Sequence, residues 1–265
     1  MTEDRLRQDL RALGIEAQSL RPLEGGDLSA VVLFETSDAP PCVAKSGPHA
    51  GTEARMLRAL AAAGAPVPRV RAISETLFVM DYLPKAPSSD TGWRDLGHAL
   101  RRLHALPATN NGWPEDYAFG TVWLSNAPAP DWPGFWAERR LLPFAPEFPD
   151  LADRLEALAQ RLPELLPKAA TGLLHGDLWT GNVHFSTGGA YFIDPACYRG
   201  HGEVDLAMLH LFGTPPAAFW DGYGEPAPEW RARLPLYQLF PALVHLRLFG
   251  EGYRGLVERC LDACA

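Results

Sequence analysis

The chain has 265 residues, of which 47% are hydrophobic and 21% charged, and its net charge is −8. This length and composition predict a folded protein with one large domain or two lobes, and they exclude a disordered or low-complexity chain. The acidic balance disfavours nucleic acid and anionic membranes as partners, because both carry charge of the same sign. The four cysteines lack a CxxC spacing, and no apolar run approaches the ~20 residues of a membrane span. We therefore expect a cytoplasmic protein, and the sequence gives no indication of its oligomeric state.

The first third of the chain alternates strand and turn signals around two helices. In order, the predicted elements are an amphipathic helix over 6–13, a strand over 30–34, a strand over 42–45, a helix capped by Thr52 and closed by Gly64, and a strand over 77–82. The first two strands flank a proline-containing turn and therefore predict a hairpin.

The remainder of the chain is mostly helical. Leucines at helical spacing predict helices over 96–103 and 151–158, the second after an Asp150 cap. The apolar segment over 230–249 predicts a buried helix or a helix pair, broken at Pro235 or Pro241. Short strands are predicted over 172–174, 183–185 and 190–193. The sequence thus predicts an α+β, bilobal fold, with a small β-rich lobe over 1–83 and a larger helical lobe over 84–265.

Three polar residues lie around the predicted hairpin of the second lobe. Asp177 and Asn182 are five residues apart, and the hairpin over 183–193 returns the chain to Asp194. In protein-kinase-like enzymes this layout provides an acidic group for the attacking hydroxyl and oxygen ligands for Mg²⁺. A loop with side-chain-to-backbone turns would also explain the spacing of Asp177 and Asn182. The strand before Asp177 and the hairpin after Asn182 favour a phosphotransfer site.

Lys45 lies inside an apolar strand, although the chain otherwise uses arginine for nearly all its positive charge. A compact ammonium in such a place suits a phosphate ligand. Glu53, near the start of the next helix, is positioned to hold that ammonium, although an acid in a first helical turn also favours the helix dipole. We predict that Lys45 and Glu53 form an ion pair.

Two further segments are candidates for nucleotide contacts. Gly25 and Gly26 precede the first hairpin and could cover phosphates through backbone N–H groups, although no Walker A sequence follows them. Met80 and Leu83 end the small lobe and could offer backbone groups to adenine, although a buried strand explains the same residues. Trp179 lies two residues after Asp177, where an acceptor would bind, although most tryptophans pack in a core.

The stretch GLLHGDLWTGNVHFSTGGAYFIDPACYRGHGEVDLAMLHL, over 172–211, resembles the fructosamine-3-kinase (ketosamine-3-kinase) family, whose members have a protein-kinase-like fold. The resemblance extends over nearly the whole chain. Its specific part is Trp179 within His-Gly-Asp-Leu-Trp-Thr-Gly-Asn, together with Pro195 and Ala196 after Asp194.

The resemblance implies a role for each matching residue. Asp177 matches the catalytic base, Asn182 and Asp194 match the Mg²⁺ ligands, and Lys45 with Glu53 matches the phosphate-holding ion pair. The other matches are the glycines Gly25 and Gly26, the adenine hinge residues Met80 and Leu83, the substrate-pocket residue Trp179, and Asp205, which supports the catalytic loop.

The implied reaction is ATP-dependent phosphorylation of a ketosamine, such as a fructosamine or ribulosamine, at its O3 hydroxyl. The product then decomposes and frees the amine, so the acceptor is a small ketosamine or a glycated protein. Two alternatives are a kinase of another small alcohol, such as an aminoglycoside, choline or a sugar, and a non-catalytic nucleotide-binding module. The sequence departs from the family in being shorter between Val70 and Phe78, which predicts a trimmed small lobe, and in having Asp27 after the glycines, where some relatives have a cysteine.

Overall fold

The computed structural model describes residues 2–23, 30–166 and 171–265. Its N-terminal part is a five-stranded antiparallel sheet with strand order β1-β2-β3-β5-β4. The strands are β1 (Ser19–Pro22), β2 (Ala30–Glu35), β3 (Cys42–Ser46), β4 (Val70–Ile73) and β5 (Leu77–Asp81), and two helices accompany them, α1 (Glu3–Ala12) and α2 (Ala50–Ala62).

The two helices pack against the sheet through separate apolar clusters. The buried side chains Leu6 and Leu10 of α1 form a cluster with Phe34, whereas α2 buries Leu57 against Phe78. Strands β3 and β5 lie inside the sheet, and their side chains are mostly buried; β5 contributes to both clusters and β3 to the first. The hairpin predicted from the sequence is confirmed as β2 and β3.

Some details of the N-terminal part differ from the predictions. The Thr52 cap is wrong, because α2 begins two residues earlier at Ala50 and the Thr52 hydroxyl donates to Glu115 instead. Strands β1 and β4 were not predicted, since both are short edge strands, of which β1 is mostly exposed and β4 mostly half-buried. The segment expected to be shorter contains β4 and the turn to β5, with a register shift between Val70 and Ala72, and the trimming of the lobe stays a prediction.

The C-terminal part consists mainly of helices around one large core. The helices are α3 (Asp90–His104), α4 (Trp132–Trp136), α5 (Ala152–Leu165), α6 (Glu203–Leu209), α7 (Ala217–Tyr223), α8 (Trp230–Phe249) and α9 (Arg254–Ala263). Three antiparallel pairs of short strands complete it: β6 (Tyr117–Phe119) with β7 (Val122–Leu124), β8 (Gly172–Leu174) with β11 (Tyr198–Gly200), and β9 (Val183–Ser186) with β10 (Gly189–Phe192). The α+β architecture is as predicted, and the lobe boundary at residue 83 stays a prediction.

Helix α8 runs without interruption through both of its prolines, so the predicted break at Pro235 or Pro241 is wrong. Each proline removes one backbone hydrogen bond. The helix nevertheless buries residues such as Leu243 and Leu246 in the large core, and this burial outweighs the local cost. The predicted Asp150 cap is also wrong, because the Asp150 carboxylate pairs with Arg254 at 2.7 Å.

All four cysteines are free thiols. Cys260 and Cys264 lie one turn apart at the end of the chain, and Cys260 packs into the large core. Within the described ranges, no helix is long and apolar enough to cross a membrane.

Candidate active site

A cleft of ≈ 1040 Å³ is lined by residues from both the five-stranded sheet and the C-terminal part. Most of the residues singled out in the sequence line it: Lys45, Glu53, Met80, Leu83, Asp177, Trp179, Asn182 and Asp194. Gly25 and Gly26 lie outside the described residues. The structure thus brings together residues that are up to 149 positions apart in the chain.

The loop after β8 holds Asp177 against Asn182. The Asn182 Nδ2 group donates to the Asp177 carbonyl at 2.7 Å and to its Oδ2 at 3.1 Å. A short 3₁₀ turn over Thr180–Asn182 brings the two residues together. Because its amide nitrogen faces Asp177, the Oδ1 atom of Asn182 remains as an acceptor or ligand.

Asp205 fixes the backbone immediately before Asp177. Its carboxylate accepts from the N–H groups of His175 and Gly176 at 2.8 and 2.9 Å, and it contacts His104 Nε2 at 3.0 Å. Gly176 has φ +83°, and a Cβ there would lie 2.0 Å from the Ala196 carbonyl oxygen, so only glycine fits. The fully buried Asp205 therefore supports the loop, as its family match implied.

The β9–β10 hairpin sets the position of Asp194. His175 Nε2 donates to the Ile193 carbonyl at 2.9 Å, and the Ile193 N–H donates to the Asn182 carbonyl at 3.1 Å. Asp194 follows with φ 55°, an unusual conformation for a residue with a side chain. Neighbouring contacts hold this strained residue in place, as is common at functional sites.

The Lys45 ammonium bridges two carboxylates. Its Nζ lies 2.7 Å from Glu53 Oε1 and 3.0 Å from Asp194 Oδ1. Burial alone would lower the pKa of Lys45, but the two carboxylates raise it above its ordinary value, so the ammonium stays charged. The ion pair predicted between Lys45 and Glu53 is present, and it reaches Asp194 as well.

The Asp177 carboxyl has the environment of a general base. Its burial raises its pKa to about 7, and the nearby Asp194 charge acts in the same direction, while the Asn182 hydrogen bond opposes them. A carboxyl that titrates near neutral pH can both take and release a proton under ordinary conditions.

Helix α2, which carries Glu53, is tied to the C-terminal part by Glu115. The Arg55 Nε and Nη2 atoms donate to Glu115 at 2.8 and 2.6 Å, and Thr52 Oγ1 donates at 3.0 Å. We call these contacts the Glu115 clamp. Tyr117, two residues further on, lines the cleft. Burial raises the pKa of the Glu53 carboxyl, and Lys45 and Tyr117 oppose that rise.

The Glu115 clamp is connected to the core of the C-terminal part. Asn126 Nδ2 donates to the Glu115 carbonyl at 3.0 Å, and Asn126 Oδ1 accepts from Arg140 Nη2 at 2.7 Å. The fully buried Arg140 guanidinium lies 4.4 Å from the centroid of the Tyr198 ring and 5.4 Å from that of Phe240. Sequence reasoning missed Glu115 and Tyr117, because they lie in a loop and a short strand without a periodic pattern.

The predicted adenine hinge also lines the cleft, next to residues of the five-stranded sheet. Met80 and Leu83 line it together with the apolar residues Leu23, Val31 and Val43. The Leu83 carbonyl accepts from His184 Nε2 at 2.8 Å.

Trp179 lines the other end of the cleft and is 39% exposed. A group of mostly apolar side chains continues the wall beyond it: Met208, Phe212, Tyr237, Phe240, Val244, His245, Leu248, Phe249 and Tyr253. The sequence offered one signal for this wall, since His245, Phe249 and Tyr253 are spaced four residues apart. Trp179 is therefore part of a cleft wall and not of the core.

The oxygen atoms near Lys45 suit a hard divalent cation. Asp177, Asn182 and Asp194 offer carboxylate and amide oxygens, which Mg²⁺ prefers, and Mg²⁺ typically takes its other ligands from phosphate and water. In the part of the chain that the structure describes, no three His, Cys, Asp or Glu side chains are arranged to hold a metal by themselves. The donor set thus fits a metal that is bound jointly with a phosphate ligand.

The chain is similar to known proteins along its whole length. The fructosamine kinase family model matches residues 6–265. A Thermus thermophilus protein, named as a probable ketoamine kinase, is 38% identical, and the match covers 96% of this chain and 97% of the relative.

Solved structures share the fold. A Thermobifida fusca protein, provisionally assigned as a fructosamine-3-kinase, is 32% identical with a TM-score of 0.88, covering 97% of this chain and 96% of that one. The ADP-bound aminoglycoside phosphotransferase APH(2″)-Ib has a TM-score of 0.67 at 16% identity, covering 99% of this chain and 98% of that one.

Proposed function

The chain belongs to the fructosamine kinase family and is an ATP-dependent kinase of ketoamines, and on this premise we propose that it phosphorylates the O3 hydroxyl of a ketosamine. The observation that carries the proposal is the convergence of Asp177, Asn182, Asp194 and Lys45 beside Trp179 in one cleft. The 3-phosphate would then decompose and free the amine, so the overall outcome is deglycation.

Asp177 is the proposed catalytic base. Its carboxylate accepts the proton of the O3 hydroxyl while that oxygen forms a bond to the γ-phosphorus of ATP. The bond between the γ-phosphorus and the bridging oxygen breaks, and ADP leaves. The Asn182 hydrogen bond at 3.1 Å orients the Asp177 carboxylate. The pKa of Asp177, raised by burial to about 7, suits proton transfer at neutral pH.

The nucleotide contacts are proposed by position. Lys45, held by Glu53, neutralises phosphate charge, Met80 and Leu83 contact adenine, and the Gly25–Gly26 segment covers the phosphates. Asn182 and Asp194 would hold Mg²⁺, which neutralises charge on the transferring phosphate when bound. We also propose that the nucleotide lobe spans 1–83, that the catalytic lobe spans 84–265 and that the protein acts in the cytoplasm on small ketosamines and on glycated proteins.

The acceptor end of the cleft argues against a polycationic substrate such as an aminoglycoside. The acidic residues that line the cleft as a whole are Glu53, Asp81, Asp177 and Asp194. In the described residues, the lining beyond Trp179 contains no carboxylate that could pair with a second or third ammonium group. The ketosamine group itself carries one ammonium, on the nitrogen attached to C1, and makes no such demand.

The test is ADP release measured in parallel with a synthetic fructosamine, a ribulosamine, kanamycin and choline, with the position of the new phosphate found by ³¹P NMR. We expect turnover of the ketosamines and phosphate on O3. Turnover of kanamycin or choline alone would overturn the proposal, and so would phosphate on another oxygen. No turnover of any acceptor, with ATP still bound, would support a non-catalytic module.

The same assay tests the proposed base. Asp177→Ala should lower kcat by about 10²–10⁴-fold, because general-base catalysis contributes on that order, while the Kd for ATP changes little. Asp221→Ala is the control, since that aspartate is exposed and forms only a 3.5 Å ion pair with Arg94. Undiminished kcat in Asp177→Ala would show that the base is misassigned.

A further inference from the structure

The acceptor end of the cleft contains a continuous row of aromatic rings. Trp179 contacts Phe212 with centroids 6.4 Å apart, and Phe212 lies 4.9 Å from His245. His245 in turn contacts Phe249 at 5.4 Å and Tyr253 at 4.9 Å. We call Phe212, His245, Phe249 and Tyr253 the aromatic pad, and Trp179 stands at its inner end.

The aromatic pad is open to solvent, although apolar rings are normally covered. Phe212 is 43% exposed and Phe249 is 52% exposed, and with Trp179 they are three of the four large hydrophobic side chains exposed in the described ranges. The fourth, Trp123, lies in the β6–β7 hairpin. A contiguous exposed apolar surface inside a cleft indicates a ligand site more than chance exposure does.

The rings of the pad are fixed by their own contacts. His245 Nδ1 donates to the Pro241 carbonyl at 2.7 Å, which sets the orientation of the imidazole between Phe212 and Phe249. Phe249 and Tyr253 also contact each other, with centroids 5.9 Å apart. The pad is therefore a preformed surface, and a ligand that covers it need not order it first.

The position of the pad determines which part of an acceptor it meets. The Trp179 N–H donates to the Asp177 carbonyl at 3.2 Å and the Trp179 ring contacts Phe212, so Trp179 connects the proposed base to the pad. In a ketosamine, the nitrogen is on C1, the phosphorylated hydroxyl is on C3, and C4 to C6 carry further hydroxyls. Aromatic rings suit an ammonium and an apolar substituent better than a series of hydroxyls, so we expect the nitrogen and its substituent on the side of the pad.

We infer that the aromatic pad binds the amine substituent of the ketosamine and selects apolar or aromatic substituents. This inference rests on the proposed function. Ring faces attract the single protonated nitrogen through cation–π contacts, and they gain free energy when an apolar group covers them. A second charge on the substituent would lose water here, and in the described residues the pad offers it no opposite charge.

The experiment compares three synthetic fructosamines that differ only on nitrogen: N-benzyl, N-methyl and N-(2-aminoethyl). In the wild-type enzyme, we expect kcat/KM for the benzyl compound to be about tenfold above that for the methyl compound, from burial of one ring. The aminoethyl compound should be the poorest. Equal values for all three, or a preference for the aminoethyl compound, would overturn the inference.

Two variants and a control tie the preference to the pad. Phe249→Ala should reduce the benzyl-to-methyl ratio about fivefold or more, whereas Phe249→Tyr, which keeps a ring, should preserve it. Trp123→Ala removes an equally exposed aromatic side chain outside the pad and should also preserve the ratio. An unchanged ratio in Phe249→Ala would overturn the inference. If no fructosamine is phosphorylated at all, the proposed function fails.

Discussion

The phosphate end of the cleft, around Lys45 and Glu53, is charged and largely buried, whereas the aromatic pad is nearly uncharged and more open to solvent. The Lys45 side chain is 6% exposed, while Phe249 is 52% exposed. Charge interactions strengthen where water is excluded, and apolar surface gains free energy only when something covers it. The two ends therefore suit a constant nucleotide and a varied acceptor.

The support behind the two ends differs as well. The phosphate end is braced by Asp205 beneath the loop and by the Glu115 clamp on α2. The aromatic pad rests largely on the end of α8 and the short turn after it. We expect substitutions at the phosphate end to affect catalysis for every acceptor, and substitutions in the pad to affect only the choice among acceptors.

The largest effect should come from breaking the buried ion pair. Lys45→Met leaves the Glu53 carboxylate buried without its partner, which should cost about 3 kcal/mol in the free energy of unfolding and lower kcat by ~10²-fold or more. Adding Glu53→Gln should restore most of the stability but not the activity. Urea denaturation and steady-state kinetics measure both.

The control for this pair is Arg154→Met, which removes an exposed ion pair with Asp262. It should change the free energy of unfolding by less than about 1 kcal/mol and leave kcat intact. If Lys45→Met retained the wild-type kcat/KM for ATP, the charged end would not serve the nucleotide.

An intermediate effect should follow from releasing the Glu115 clamp. Glu115→Ala frees Thr52 and Arg55, so α2 can shift and carry Glu53 away from Lys45. We expect kcat/KM for ATP to fall about tenfold, and equally for every acceptor. Glu75→Ala is the matched control, because Glu75 is the exposed second partner of Arg55 and should have less than a twofold effect. A loss that depends on the acceptor would contradict this role.

A separate effect, on stability and its pH dependence, concerns the floor of the acceptor end. Tyr237 lines the cleft, and its hydroxyl accepts from Trp132 Nε1 at 3.0 Å and lies 2.8 Å from His201 Nδ1. If His201 is neutral, its Nδ1 atom can accept the hydrogen bond from the Tyr237 hydroxyl. Burial lowers the pKa of His201 to about 4, although the nearby Glu203 opposes this.

The sign of the resulting pH dependence follows from these protonation states. Below about pH 6.5 the unfolded chain binds a proton at His201 that the folded protein does not, so stability falls as the pH decreases toward 4. By pH 5 the loss from this residue should be about 2 kcal/mol. Urea denaturation at pH 7.5 and 5 should show a smaller loss in His201→Asn, and an unchanged loss in the exposed control His98→Gln. Identical pH dependence in His201→Asn and wild type would refute the assignment.

The sequence carried enough information for the parts of the fold that depend on local patterns. Leucines at helical spacing predicted α3, and a turn between two apolar runs predicted the β9–β10 hairpin. Strands β1 and β4 were missed because these four-residue edge strands have no fully buried side chain and so lack a clear apolar alternation. The prolines in α8 led to the wrong prediction of a helix break, because burial of the helix in the core outweighed the local cost of each proline.

The candidate site also contains some residues that local sequence patterns predict and others that they do not. Asp177 and Asn182 are close in sequence, and Lys45 with Glu53 spans one strand-to-helix connection, so spacing and residue type were sufficient to predict them. Glu115 and Phe212 act through contacts with residues far away in the chain, and no local pattern marks them. Tertiary structure alone brings these residues to the cleft.

The Glu115 clamp has a consequence for the ion pair at the phosphate end. In protein kinases, activity depends on where the helix that carries the glutamate of this ion pair lies relative to its lysine. Here that helix is hydrogen-bonded to the other part of the molecule, through Thr52 and Arg55, and the ion pair is formed. The protein's own contacts thus hold α2 where Glu53 reaches Lys45.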